Sequence, residues 1–73
     1  MIKVSVLIAG RHATSISLEE EFYEEFLNIA ESMKMSRNQL VTYIDKTRTA
    51  ENLSSAVRVF VLNYYKEKSA APK

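Results

Sequence analysis

Cysteine and tryptophan are absent from this 73-residue chain, and glycine, proline and histidine occur once each. Without cysteine there is no disulfide to staple a small domain and no thiolate for zinc or redox chemistry. The same absence is compatible with a reducing cytoplasm, the expected location. One histidine, His12, excludes most histidine-based metal sites, and one glycine, Gly10, leaves no glycine-rich phosphate loop. No apolar run is long enough to span a bilayer, so no membrane partner is expected. The opening Met1-Ile-Lys-Val-Ser-Val-Leu-Ile8 has a faint signal-peptide look, but its apolar residues alternate with polar ones and lack an adequate basic leader. No nucleophile–base pair or ligand cluster stands out, so neither an enzyme nor a cofactor is expected.

What is present is apolar character, 47% of the residues, on a chain short enough to bury only about 60% of its unfolded surface. A small, unstapled, apolar-rich chain is expected to complete its core with a second copy of itself. The net charge of +1 favours no partner, but its distribution is uneven. Residues 1–18 hold Lys3, Arg11 and His12 and no acid; residues 19–31 hold Glu19, Glu20, Glu21, Glu24, Glu25 and Glu31 and no base. Carboxylates favour a helix N-terminus, which explains the block in local terms. The functional alternative is a basic surface held apart from an acidic one.

Ile2, Val4, Val6 and Ile8 alternate with other residues, a period of two that predicts a strand over about 2–8. Ala9-Gly10 punctuates it, and the alternation of Thr14, Ile16 and Leu18 predicts a second strand over 11–18. The period then becomes helical. Phe22, Phe26, Ile29 and Met33 form a stripe, with Leu18 and Ala30 extending it, and Ser17-Leu18-Glu19-Glu20 fits a capping box, so a helix is expected over about 19–33. Ser36-Arg37-Asn38-Gln39 fits a second box, opening a helix over about 37–46 with Leu40, Val41 and Ile44 inward. Lys34-Met35 is a very short link, so the two helices must turn sharply. After a polar connector, Asn52 is placed to cap a third helix over about 53–66. Its stripe of Leu53, Ala56, Val57, Phe60, Val61 and Tyr64 is joined by Val59, Leu62 and Tyr65 on the other side, and a short helix so broadly apolar wants two partners. Residues 69–73 read as a disordered tail.

Strand, helix, tight turn and Ser-capped helix is the order of the ribbon-helix-helix family, which includes the Arc and MetJ repressors. The chain resembles that family over Thr14-Ser-Ile-Ser-Leu18, Glu20 to Met33 and Ser36-Arg-Asn-Gln-Leu-Val41. The longer stretches Arg11-His-Ala-Thr-Ser-Ile-Ser-Leu-Glu19 and Asn52-Leu-Ser-Ser-Ala-Val-Arg-Val-Phe-Val-Leu62 resemble a short bacterial subgroup of it. The resemblance implies an α+β, mainly helical, intertwined homodimer whose strands pair as an antiparallel ribbon in the DNA major groove. It implies groove-facing Ala13, Ser15 and Ser17, with Arg11 and His12 at the ribbon entrance. A phosphate would be held by Ser36, Arg37 and Asn38 at the start of the second helix. Ile16, Leu18, Phe22, Phe26, Ile29, Leu40, Val41, Ile44 and Phe60 would form the dimer core. Family members usually carry long polar side chains on the outward strand face and glycine in the turn between the helices. Here the face is alanine and two serines, and Lys34 takes the turn position, where a left-handed conformation costs roughly 1 kcal/mol. The strand at 2–8 and the third helix lie outside the minimal fold; the strand either forms a hairpin with the ribbon or is exchanged between subunits.

Each signal also has a local explanation. Arg11 and His12 are read either as contacts to nucleic acid or as solvated turn residues, and Ser36 is a cap in either case. Arg58, among apolar neighbours, suits a salt bridge to Glu51 or Asp45 better than a DNA contact. Tyr64 and Tyr65 suit packing, and the glutamate cluster suits a solvated helix start. The leading expectation is a dimeric DNA-binding transcriptional regulator. The alternatives are an antitoxin whose C-terminal segment folds on a toxin, and a dimer that kept the scaffold but uses its sheet face for a protein partner.

Overall fold

The structure, a computed structural model, describes residues 1–47 and 52–69. Two strands are followed by three helices: β1 (Ile2–Ile8), β2 (His12–Leu18), α1 (Glu20–Ser32), α2 (Arg37–Thr47) and α3 (Leu53–Ser69). The α+β, mainly helical class is as expected. β2 starts one residue after Arg11, α1 is one residue shorter at each end than its periodicity suggested, and α3 continues to Ser69, a residue expected in the tail. The connector at 48–51 and the tail at 70–73 lie outside the described residues.

The period-two pattern places Val4 and Val6 of β1 and Ile16 and Leu18 of β2 on one buried face. The strands pair antiparallel from Ile2 opposite Leu18 to Ile8 opposite His12, so the extra strand forms a hairpin with the second, one of the two arrangements left open above. The hairpin turn is closed by the Arg11 N–H donating to the Ile8 carbonyl at 3.1 Å. Ala9 and Gly10 both have positive φ, 55° and 69°, the backbone hand that matches the twist of the flanking strands. Gly10 adopts it freely and Ala9 does not. The Ala9 N–H donates to Thr42 Oγ1 at 2.9 Å, which ties the turn to α2 and helps hold the left-handed residue in place.

The hairpin lies over the three helices, β1 along α2 and β2 along α3 and α1. Its buried face meets Phe26, Ile29 and Ala30 of α1, Leu40, Val41 and Ile44 of α2, and Ala56, Val57 and Val61 of α3. Covering each large apolar side chain stabilises by roughly 1.5–3 kcal/mol, and this draws the helical stripes to a common centre. Phe22 and Met33, at the two ends of the α1 stripe, are half-buried.

Helix ends follow the local chemistry with one exception. At the start of α2 the Gln39 N–H donates to Ser36 Oγ at 3.1 Å and the Ser36 N–H donates to Gln39 Oε1 at 2.7 Å, the reciprocal capping box expected there. At α3 the Ser55 N–H donates to Asn52 Oδ1 at 3.2 Å, as expected. The box expected at Ser17–Glu20 does not form. Glu19 takes the cap position with no side-chain cap, because Ser17 is still in the strand ladder opposite Lys3. α1 ends with Lys34 at φ 58°, its N–H donating to the Glu31 carbonyl and the Met35 N–H to the Ala30 carbonyl. This is the left-handed stop in which glycine is favoured.

Ala9 and Lys34 each occupy a conformation that glycine takes without penalty. Ala9→Gly and Lys34→Gly are each expected to stabilise the fold by on the order of 1 kcal/mol. In a domain of this size that raises the thermal midpoint by about 4–8 °C. A melting series on the two variants checks this; a fall at either position contradicts the backbone conformation described for it.

Candidate nucleic-acid interface

The outward face of the hairpin is made by the residues between the buried ones. The register sets Lys3 opposite Ser17, Ser5 opposite Ser15 and Leu7 opposite Ala13. All are exposed except the half-buried Ser17. Leu7 and Ser17 send their N–H groups away from the ladder, to Asn38 Oδ1 and Ser54 Oγ, both at 3.0 Å. By antiparallel alternation these three are therefore the non-hydrogen-bonded pairs, the ones whose side chains stand closest together. Ala13, Ser15 and Ser17 thus share one surface with three β1 residues that sequence reasoning did not place there. The alternation of Lys3, Ser5 and Leu7 was visible in the sequence, but which strand β1 would lie beside was not.

The hairpin tip and the start of α2 are neighbours. Asn38 accepts the Leu7 N–H, Thr42 accepts the Ala9 N–H, and the Thr42 hydroxyl donates back to the Asn38 carbonyl at 2.8 Å. The Asn38 side-chain oxygen is therefore engaged in positioning β1, while Ser36 Oγ accepts from Gln39. The Arg37 guanidinium receives support from below, donating to Tyr23 Oη at 3.2 Å, and the side chain stays exposed. The structure so brings Arg11 and His12, at the turn, to the same end as the first turn of α2. Lys34 sits there as well, in a groove it lines with Ala9, Gly10 and Asn38.

The charge pattern of the sequence becomes spatial in the fold. α1 begins at the foot of the hairpin, directly after Leu18, so Glu20 and Glu21 lie at the end away from the tip. Among the described residues the side chains of Lys3, Arg11 and His12 make no hydrogen bond or ion pair within the chain. Arg58 differs. Its partner is Glu19, Nε to Oε1 at 2.8 Å, and not Asp45; Glu51 lies outside the described residues. Sequence reasoning missed Glu19 because it counted that glutamate with the solvated, dipole-favoured cluster at the helix start. The Arg58 hydrogen bond holds the Glu19 carboxyl below its ordinary value, helped by its own backbone N–H, opposed by desolvation, and helped further by the charges of Arg58 and the N-terminus.

Ile16, Leu18, Phe26, Ile29, Leu40, Val41 and Ile44, expected in a dimer core, are covered within a single chain, while Phe22 and Phe60 are half-buried. Phe60 lies between Tyr43 and Tyr64, with ring centroids 6.1 and 6.4 Å away. The Tyr65 hydroxyl donates to Glu25 Oε1 at 2.7 Å, tying α3 to α1 and raising the phenol's pKa. Among the described residues no group of three or more His, Cys, Asp or Glu is placed to hold a metal ion, and no helix is long and apolar enough to cross a membrane.

A family profile described as "Ribbon-helix-helix domain" matches residues 1–65, taking in both strands, α1, α2 and most of α3. No curated protein and no solved structure matches the chain.

A carboxyl whose folded pKa is lowered contributes stability that is present above its unfolded value and is lost as the pH falls through the lowered one. The stability difference between the wild type and Glu19→Gln is therefore expected to be largest near neutral pH. It should shrink as the pH is taken below about 4, past the unfolded carboxylate value. Urea midpoints measured across this range check it, and a difference independent of pH would mean that the Arg58 pair is not formed.

Proposed function

The chain belongs to the ribbon-helix-helix family, whose members generally bind DNA and dimerise, and on that premise we propose that it is a dimeric DNA-binding transcriptional regulator. The family is typically non-enzymatic, in keeping with this reading. The observation that carries the proposal is the acid-free hairpin. Among the described residues its cationic side chains have no partners, and its tip stands beside the capped start of α2. Uncompensated positive charge next to the positive end of a helix dipole suits a phosphate backbone.

In the proposed mechanism the hairpin's outward face enters the major groove, which is wide enough for a two-stranded ribbon. Arg11 and His12 meet the backbone at the tip. The free amides at the start of α2, with the Ser36 hydroxyl and the Arg37 guanidinium, hold a phosphate and fix the register of the protein on the duplex. The second copy docks on the apolar band that one chain leaves open. Tyr43, Val59 and Leu62 remain 41%, 49% and 55% exposed, beside Phe60 and Tyr64. An antitoxin whose C-terminal third folds only on a toxin draws no support from α3, since Ala56, Val57 and Val61 are already in the core of the free chain.

Binding to mixed-sequence duplex DNA is expected to weaken steeply with salt, the slope reporting the phosphates neutralised. Arg37→Ala should weaken it for all sequences alike and lower the salt slope by about 1. Fluorescence anisotropy titrations at several salt concentrations read both quantities, and no binding by the wild type at low salt would overturn the proposal. Independently, Leu62→Lys is expected to shift sedimentation from dimer to monomer while leaving the circular dichroism of the fold unchanged; a variant that stays dimeric removes the α3 band as the interface.

A further inference from the structure

The outward face of β2 alone is poor equipment for reading bases. Ala13 carries no polar group, and serine offers a short hydroxyl that pairs with several bases. The register changes this, because β1 lines the same face. Among the described residues Lys3 is the only long polar side chain on it, exposed and with no hydrogen bond or ion pair to any of them. Leu7, 41% exposed, stands opposite Ala13 and makes a small apolar patch at the other end. Between them lie Ser5 and Ser15. The face is thus graded from a cation, through two hydroxyls, to an apolar pair.

Resting on the DNA-binding reading above, we propose that the reading head of this protein is a two-strand face formed within one chain, with Lys3 of β1 as its base-reading side chain. A lysine ammonium donates to guanine O6 and N7, and an apolar pair accommodates the thymine methyl group; the hairpin itself carries no acid, and Glu20 and Glu21 follow beyond its foot in α1. Four residues along a strand separate Lys3 from Leu7 by about 13 Å. The guanine preference and the thymine preference therefore fall several base pairs apart within one site. Pairing between β1 and β2 holds the two reading elements in fixed relation, because each outward residue of one strand is locked opposite an outward residue of the other.

The test is selection of duplexes from a random pool by the full chain, carried out in parallel with the wild type, Lys3→Ala and Lys3→Arg, with affinity for mixed DNA measured alongside. The wild type is expected to enrich sites with a guanine at one position, Lys3→Ala to lose the preference at that position while keeping the others, and Lys3→Arg to retain it. The cost of Lys3→Ala on an enriched site should be about 5–150-fold, the discrimination carried by one base contact. Circular dichroism confirms that this exposed substitution leaves the fold intact. Uniform weakening of all sequences by Lys3→Ala, or no change at all, overturns the inference and leaves the DNA-binding reading standing. So does a wild type that binds mixed DNA but enriches no sequence. A wild type that binds no DNA overturns both.

Discussion

The pairing of Val4 with Ile16 and Val6 with Thr14 sits over a core that admits apolar side chains on one side of the hairpin only. In a two-stranded sheet with one wet face, a slip of a single residue would turn Val4 and Val6 to solvent and bring Ser5 and Leu7 inward. The core thereby dictates the outer surface: because Val4 and Ile16 must both be buried, Lys3 must stand opposite Ser17 and Leu7 opposite Ala13. The turn supports the same register from its own end, with positive φ at Ala9 and Gly10 and the Arg11–Ile8 hydrogen bond.

α2 links the two halves of the proposed interface. Its inward residues Leu40, Val41 and Ile44 anchor it in the core, its Ser36–Gln39 box defines where it starts, and Asn38 and Thr42 fasten that start to the outer edge of β1. Using side chains to satisfy the edge N–H groups of Leu7 and Ala9 also covers donors that would otherwise invite another strand. At the far edge Ser54 does the same for Ser17. The hairpin is held between α2 and α3 as a preformed two-stranded ribbon, consistent with a role in which its shape, and not a rearrangement, meets the partner.

Periodicity carried most of the architecture. The change from a period of two to a period of 3.6 after Leu18 marks the strand-to-helix transition within two residues, and the box at Ser36 and the cap at Asn52 locate two of the three helix starts. These signals are local: a cap or a stripe depends on residues three or four positions apart. Local reasoning failed where a long-range contact outcompeted a local one. Ser17 matches a cap pattern but remains in the ladder, with its N–H bound to Ser54, so the box with Glu20 does not close, and Glu19 pairs with Arg58, 39 residues away. The left-handed residue at Lys34 was expected from the resemblance alone, since the family commonly has glycine in that turn; the short link implied only a sharp turn.

The candidate interface divides along the same line. By itself the sequence determined that residues 1–18 carry cations without acids, that Ser15 and Ala13 alternate outward from Ile16 and Leu18, and that a capped helix begins at Ser36, because composition, strand period and capping are all encoded within a few neighbouring residues. Only the tertiary structure decided that β1 pairs with β2 inside one chain, that Lys3, Ser5 and Leu7 share the outward face, and that the end of β1 and the hairpin turn are fastened to Asn38 and Thr42 in the first two turns of α2. Strand pairing and edge capping are contacts between distant segments, and the free energy that selects among them comes from the buried face beneath, which no short stretch of sequence contains.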